Sequence, residues 1–235
     1  MSWDQVGHPP AGRFGASPDP SGEHGDPEDD VSANTSLYLP PFRVDITLRC
    51  RAPLPVSRRR LAAAMRATLE LAGAPGPASI GLVLSDDVDL ARLNAVHMGQ
   101  DGPTDVLSFP FFPPEAFPTH ETGAPPTRNH GVAAALKQAF ALPPGLRAHL
   151  GDVVVSVERA AAQAENGQGG QTGDIHWTVV EEMLLLTIHG TLHVCGWDHA
   201  DPVEEAAMRA LEHKIMVCLA EGDCDADDEA AASPD

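Results

Sequence analysis

The chain has 235 residues, 43% of them hydrophobic, which is enough for one domain with a sizeable core and some additional segments. Its 34 acidic residues against 15 lysines and arginines give a formal net charge of −19, which taken alone argues against binding to nucleic acid or to an anionic membrane. The sequence has no apolar run near 18 residues, which excludes a membrane-spanning helix. It has no collagen or coiled-coil repeat, which excludes these two kinds of fibrous protein.

The acidic excess is concentrated at the two ends of the chain. Residues 1–36 and 220–235 together carry 14 acidic residues and one arginine, and they are rich in Pro, Gly, Ser and Asp. Such segments without apolar periodicity are typical of disordered tails. The first residues lack a basic region followed by an apolar stretch, so we expect no signal peptide and a cytoplasmic location. We expect residues 37–219 to form the folded domain.

Within residues 37–219, apolar periodicity predicts strands that alternate with helices. The predicted strands cover 42–51, 79–84, 105–111 and 152–157. The predicted helices cover 57–72, 86–96, 131–140, 158–165, 176–194 and 202–219. Residues 113–130 are rich in Pro, Thr and Gly and predict a surface insertion. The interleaving of strands and helices indicates a single α/β (α+β) domain with a small mixed sheet.

Three histidines with defined spacing lie at the end of the long apolar helix. His189 and His193 are four residues apart, so a helix presents both imidazoles to one point. Gly196 is suited to end that helix with a sharp turn, which can bring His199 back to the same point. Three protein ligands that leave a fourth position open for water are the arrangement of a catalytic zinc site. The spacing therefore predicts one bound Zn²⁺, although three imidazoles also suit Ni²⁺, Cu²⁺ or Fe²⁺.

Other interpretations of these histidines stay open. They can be capping or surface residues, or they can hold a structural zinc. Cys195 is a possible fourth ligand, but two residues after His193 it is expected to point away and to be a buried thiol. The spacing also matches metzincin peptidases, which place a Glu directly after the first His as general base. Gly190 occupies that position here, which argues against a peptidase.

The sequence resembles the YbeY family of bacterial rRNA maturation factors, which are metal-dependent endoribonucleases. The resemblance covers roughly residues 42–219 and rests on three blocks in the family's order, at 101–110 (DGPTDVLSFP), 151–156 (GDVVVS) and 189–199 (HGTLHVCGWDH). It implies a zincin-like fold with a metal-bearing central helix. It also implies a zinc held by His189, His193 and His199. The implied activity is cleavage of single-stranded RNA, at the 3′ end of 16S rRNA and in ribosome quality control, with rRNA and the small ribosomal subunit as partners and neither membrane nor DNA.

The chain departs from the family where an arginine usually precedes the PTDVLSF block. Met98 stands at that position, and a thioether cannot bind a phosphate as a guanidinium does. Either His97 or an arginine from elsewhere replaces it, or the activity is weaker.

The general base is not evident at the ligand helix. Asp152, which starts a predicted buried strand, and Asp198, beside the third ligand, are the candidate catalytic residues. Each also has a structural interpretation, Asp152 as a cap and Asp198 as a residue that orients a histidine. Thr104, Asp105 and Ser108 are candidates to line the substrate cleft, or else they form a turn that leads into a strand.

One region offers the positive charge that RNA binding needs. Seven arginines and one acidic residue lie between positions 43 and 66. Arg58, Arg59 and Arg60 open a helix, where the helix dipole disfavours cations, so we expect them to contact substrate unless they form a solvated face. The leading hypothesis is a zinc-dependent endoribonuclease. The alternatives are a non-catalytic ribosome-associated factor with a structural zinc, and a metal-dependent hydrolase of another substrate.

Overall fold

The computed structural model describes residues 33–118, 147–166 and 177–222, all within the unit Val31–Asp235. The strands are β1 (Ala33–Leu39), β2 (Phe42–Leu48), β3 (Ala78–Ser85), β4 (Val106–Pro110) and β5 (Ala148–Ser156). The helices are α1 (Arg58–Leu71), α2 (Asp87–His97), α3 (Val157–Glu165), α4 (Val179–Val194) and α5 (Pro202–Glu221). A single 3-10 turn, Pro114–Ala116, follows β4.

The five strands form one mixed sheet in the order β1-β2-β3-β5-β4. The three central strands β2, β3 and β5 run parallel, and the edge strands β1 and β4 pair antiparallel with their neighbours. This confirms the predicted mixed α/β architecture.

The helices begin where the sequence supplies capping side chains. The Ser57 hydroxyl accepts the backbone N–H of Arg60 at the start of α1, and Asp86 accepts that of Asp89 at the start of α2. At α4, Thr178 and Glu181 form a capping box, in which each side chain accepts the other's backbone N–H. Among the described residues, no helix combines the length and apolar character needed to cross a membrane.

The two faces of the sheet carry different helices. The buried side chains of β2, which include Val44 and Ile46, belong to one core with α1, α4 and α5. Leu107 and Val154 point to the other face, where they pack with Leu90 of α2. The α4 helix therefore lies on the face opposite α2.

The structure differs from the predicted organisation at two places. β1 begins at Ala33, inside the segment 1–36 that was expected to be a tail, and pairs with β2 along its whole length. The proposed insertion 113–130 begins with residues that pack into the fold, since Phe117 is buried in the main core. Residues 119–130, the helix predicted over 131–140 and most of both predicted tails lie outside the described residues.

Candidate metal centre

The α4 helix presents two of the three histidines side by side. His189 and His193 lie one turn apart, and their Nε2 atoms are 3.1 Å from each other. The imidazole planes are nearly perpendicular, with ring centroids 4.5 Å apart. The four-residue spacing therefore brings the two imidazoles together, as the sequence predicts.

The end of α4 returns the chain so that His199 reaches the same point. Trp197 N–H donates to Leu192 O and Gly196 N–H to His193 O, which is the Schellman pattern of a helix terminus. Gly196 has a φ of +84°, and a Cβ there would lie 2.9 Å from Pro114 Cα. Glycine is therefore required both by the left-handed conformation and by the contact with the turn after β4.

The three histidines form a group that could hold a metal ion. One nitrogen of each ring can be chosen so that all three lie within 4.8 Å of one another. The His199 ring stacks almost parallel to that of His189, at a centroid distance of 5.9 Å. His189 is buried, His193 is partly buried and His199 is exposed, so the site opens to solvent on one side.

Hydrogen bonds on the far side of two rings fix which nitrogen faces the site. His193 Nδ1 lies 2.8 Å from the carbonyl oxygen of Trp197, and because a carbonyl only accepts, that Nδ1 carries the proton. His189 Nδ1 lies 2.7 Å from Oε1 of Glu212, a glutamate of α5 that is only 5% exposed. With both Nδ1 atoms turned towards oxygen atoms, the two Nε2 atoms, 3.1 Å apart, are the ones that face the centre. A cation between the rings satisfies both, so the residues present fit a metal ion.

The electrostatic surroundings keep His193 neutral. Burial and, after it, the neighbouring His189 lower the pKa of His193 to about 4. A neutral imidazole is the form that binds a metal.

Cys195 does not belong to this group. Its side chain is fully buried, and burial raises the pKa of its thiol to about 12. This agrees with the predicted buried thiol rather than a fourth ligand.

Close packing at position 190 leaves no room for a glutamate after the first histidine. A Cβ at this position would lie 2.5 Å from Val153 Cγ1 and 3.0 Å from Val106 Cγ2. Position 190 therefore faces the sheet and not the metal site. The carbonyl of Gly190 accepts a hydrogen bond of 2.9 Å from the Ser108 hydroxyl. Ser108 thus links β4 by a hydrogen bond to the residue next to His189. The predicted contact of Ser108 with substrate stays a prediction.

Asp198 lies in the turn between α4 and α5. Its carboxylate accepts the backbone N–H of His199 at 2.7 Å, and its own N–H donates to Glu204 of α5. These contacts place Asp198 beside the third ligand, where it shapes the turn. Its predicted catalytic role stays a prediction.

Asp152 lies on the wrong face of the sheet for the predicted role. In the pairing of β4 with β5, Asp152 is opposite Phe109, whereas Val153 is opposite Ser108 and contacts the α4 side. The Asp152 carboxylate is bonded to His149 Nε2 at 3.0 Å and lies over Gly81. It does not face the three histidines, so the geometry gives no support to Asp152 as their general base.

Thr104 and Asp105 form local contacts before β4. The Asp105 carboxylate accepts from the Thr104 hydroxyl, from the Val106 backbone and from Gln163 of α3. These bonds correspond to the turn that the sequence also allowed, and a contact of either residue with substrate stays a prediction.

Arg60 acts on the first turn of α4, whereas the histidines lie at the other end of that helix. Hydrogen bonds from the backbone and hydroxyl of Thr178 lower the pKa of Glu181, and the nearby charge of Arg60 lowers it further. Arg60 is therefore close to the first turn of α4, whereas His193 stands twelve residues later, about 18 Å along the helix axis. The predicted contact of Arg58, Arg59 and Arg60 with substrate stays a prediction.

Glu212 is the residue of this centre that the sequence interpretation missed. It lies in the apolar stripe of α5 between Met208 and Ile215, and all three residues are buried. A carboxylate inside an apolar stripe was the available signal, since buried acids are almost always paired.

Comparison with known proteins places the chain in a family. The family model described as endoribonuclease YbeY matches residues 53–220. Endoribonuclease YbeY of Roseiflexus sp. strain RS-1 is 35% identical over 158 residues, which cover 66% of this chain and 79% of that protein. The protein of the same name from Salinispora tropica is 37% identical over 154 residues, which cover 66% and 82%. The solution structure of TM1509 from Thermotoga maritima covers 80% of this chain and 98% of its own, with 18% identity and a TM-score of 0.39. From the family match and the two curated relatives, the chain belongs to the YbeY family of endoribonucleases.

Proposed function

We propose that this protein is a zinc-dependent endoribonuclease that cleaves single-stranded RNA at the three-histidine centre. The observation that carries the proposal is the convergence of three imidazoles on one point, open to solvent on one side, in a chain of an endoribonuclease family. Three nitrogen ligands and an open position are the donor set of catalytic zinc sites.

Residues of this chain would hold the metal ion and orient the histidines that bind it. His189, His193 and His199 would hold the ion, which when bound polarises a phosphate oxygen and acidifies a water. Glu212 orients His189 through its 2.7 Å contact, and the Trp197 carbonyl orients His193. Asp198 holds the turn that carries His199.

We further propose that the substrate is the 3′ end of 16S rRNA, with the small ribosomal subunit as partner and ribosome quality control as a second role, in the cytoplasm. This part rests on the three sequence blocks shared with the family. DNA and membranes are not expected partners.

One observation favours a second candidate, a non-catalytic ribosome-associated factor with a structural metal. Met98, which stands where the family has an arginine, is 46% exposed at the end of α2 and offers no charge for a phosphate. A protein of this kind would bind RNA or ribosomes without cutting.

The test compares cleavage by three proteins loaded with one equivalent of zinc. The substrate is a labelled 20-nucleotide RNA, alone or annealed to its complement. We expect the wild-type protein to cut the single strand and spare the duplex, and His193→Ala to lose at least about 100-fold in rate, since a ligand of the metal is removed. His213→Ala, which removes an exposed histidine of α5, is the matched control and should keep the wild-type rate.

Equal inertness of wild-type protein and His193→Ala, with both still bound to ribosomes, would instead establish the non-catalytic factor. Hydrolysis of peptide or ester substrates without cleavage of RNA would assign the centre to a hydrolase of another class.

A further inference from the structure

Four of the seven arginines between positions 43 and 66 are Arg51, Arg58, Arg59 and Arg60, which follow β2 or open α1. Arg60 acts on Glu181 in the first turn of α4, and Glu181 is about 18 Å from His193 along the helix axis. Arg49, Arg51 and Arg58 lie at the end of the fold where β2 ends and α1 begins.

A surface cavity of about 580 Å³ lies at that end of the fold. Its volume falls in the range of pockets that hold small ligands. Leu48, Pro53 and Leu54 provide apolar wall, and Arg51 and Arg58 provide two guanidinium groups. The cavity thus combines an apolar surface with positive charge.

Within the described residues, Arg51 and Arg58 lack the carboxylate partner that Arg43 and Arg49 have. Arg43 pairs with Asp45 at 3.0 Å, and Arg49 lies 3.6 Å from Asp89. Within the part of the chain that the structure describes, neither Arg51 nor Arg58 forms an ion pair with a carboxylate, and the buried Nε of Arg58 has no hydrogen-bond acceptor. A desolvated guanidinium N–H without an acceptor is unfavourable, and an anion in the cavity would satisfy it.

Two carboxylates also act electrostatically on Cys50, which lines the cavity, and negative charge there disfavours an anion nearby. Asp86 and Glu158 contribute to the raised pKa of the Cys50 thiol, although burial is the main cause. Arg58, whose buried Nε lacks an acceptor among the described residues, is therefore the contact that we assign to an anion.

We propose that Arg51 and Arg58 bind a phosphate of single-stranded RNA, while the base of that nucleotide lies against the apolar wall that includes Pro53 and Leu54. A guanidinium matches the geometry of a phosphate through two parallel hydrogen bonds. The proposal rests on the proposed function, since it adds a second contact for the same RNA.

The experiment measures binding of a labelled 12-nucleotide oligouridylate to the full-length, metal-free protein between 50 and 200 mM salt. The variant is R51Q/R58Q, and R43Q/R92Q is the matched control, because it removes the same charge from arginines that pair with Asp45 and Asp89. We expect R51Q/R58Q to weaken binding about tenfold and to reduce the salt slope by about 0.7, the value of one phosphate contact on a single strand. R51K/R58K keeps the charge but loses the paired hydrogen bonds of the guanidinium, so it should restore the salt slope and only part of the affinity, and circular dichroism verifies the fold of each variant.

Equal losses in R51Q/R58Q and R43Q/R92Q, or an unchanged salt slope in R51Q/R58Q, would overturn the proposal. So would binding of free UMP that is lost in R51Q/R58Q while oligouridylate binding is unchanged, because the ligand would then be a free nucleotide. Cleavage does not enter this measurement, so its failure is distinct from a failure of the proposed endoribonuclease activity.

Discussion

Replacement of Glu212 tests the construction of the metal centre more sharply than replacement of a ligand. Glu212 and His189 are both buried, and the 2.7 Å contact between them fixes the ring of His189. Glu212→Ala leaves the Nδ1–H of His189 without an acceptor, which costs about 1–3 kcal/mol. It also removes a negative charge that would stabilise a cation held by three neutral imidazoles.

We expect Glu212→Ala to weaken zinc binding by about 10- to 100-fold, as is usual for the partner of a ligating histidine. In free energy this is about 1.4–2.8 kcal/mol, in agreement with the cost of the orphaned N–H. Glu212→Gln keeps an oxygen that can accept from Nδ1 and loses only the charge, so its effect should be smaller than that of Glu212→Ala.

The assay is competition for zinc against a chromophoric chelator, with circular dichroism to verify the fold. Glu205→Ala is the matched control, because Glu205 lies on the same helix but pairs with Arg209 at the surface. A folded Glu212→Ala protein with wild-type zinc affinity would refute the assignment of Glu212 as the residue that orients His189.

Three further substitutions test the surroundings of the centre. Gly190→Ala places a methyl group 2.5 Å from Val153 Cγ1, so we expect a loss of about 1–3 kcal/mol in thermal unfolding experiments, and unchanged stability would contradict the close packing of α4 on the sheet. Ser108→Ala removes the hydrogen bond to the Gly190 carbonyl and should cost about 1 kcal/mol in urea unfolding, with less than a threefold change in zinc affinity. Asp152→Asn should leave the rate of RNA cleavage unchanged, because the carboxylate faces away from α4, and a large drop in rate would show that Asp152 takes part in the reaction.

The metal ligands could be predicted from the sequence because their geometry is local. The four-residue spacing of His189 and His193 determines their juxtaposition as soon as the segment is helical, and Gly196 marks where that helix ends. The convergence of the third ligand then depends on only three more residues.

Contacts between distant segments could not be predicted in the same way. Glu212 reaches His189 only through the packing of α5 against α4, and the sequence alone does not specify that register. The face on which Asp152 lies depends on which side of the sheet α4 occupies, which strand alternation leaves undetermined.

Strand β1 was not predicted, because composition assigned residues 33–36 to a disordered tail. Residues 33–39 follow an acidic, proline-rich stretch, but Leu37 and Leu39 alternate with exposed residues and pack against the main core. An alternation this short is weak evidence by itself, and pairing with β2 is what stabilises it.

We propose that one metal ion at His189, His193 and His199 is required to cut RNA. The most direct measurement is the cleavage rate of a single-stranded RNA during titration of metal-free protein with zinc. Activity should be absent without metal, rise in proportion to added zinc and saturate at one equivalent per chain. Cleavage at full rate by metal-free protein, or no cleavage at one bound equivalent, would contradict it.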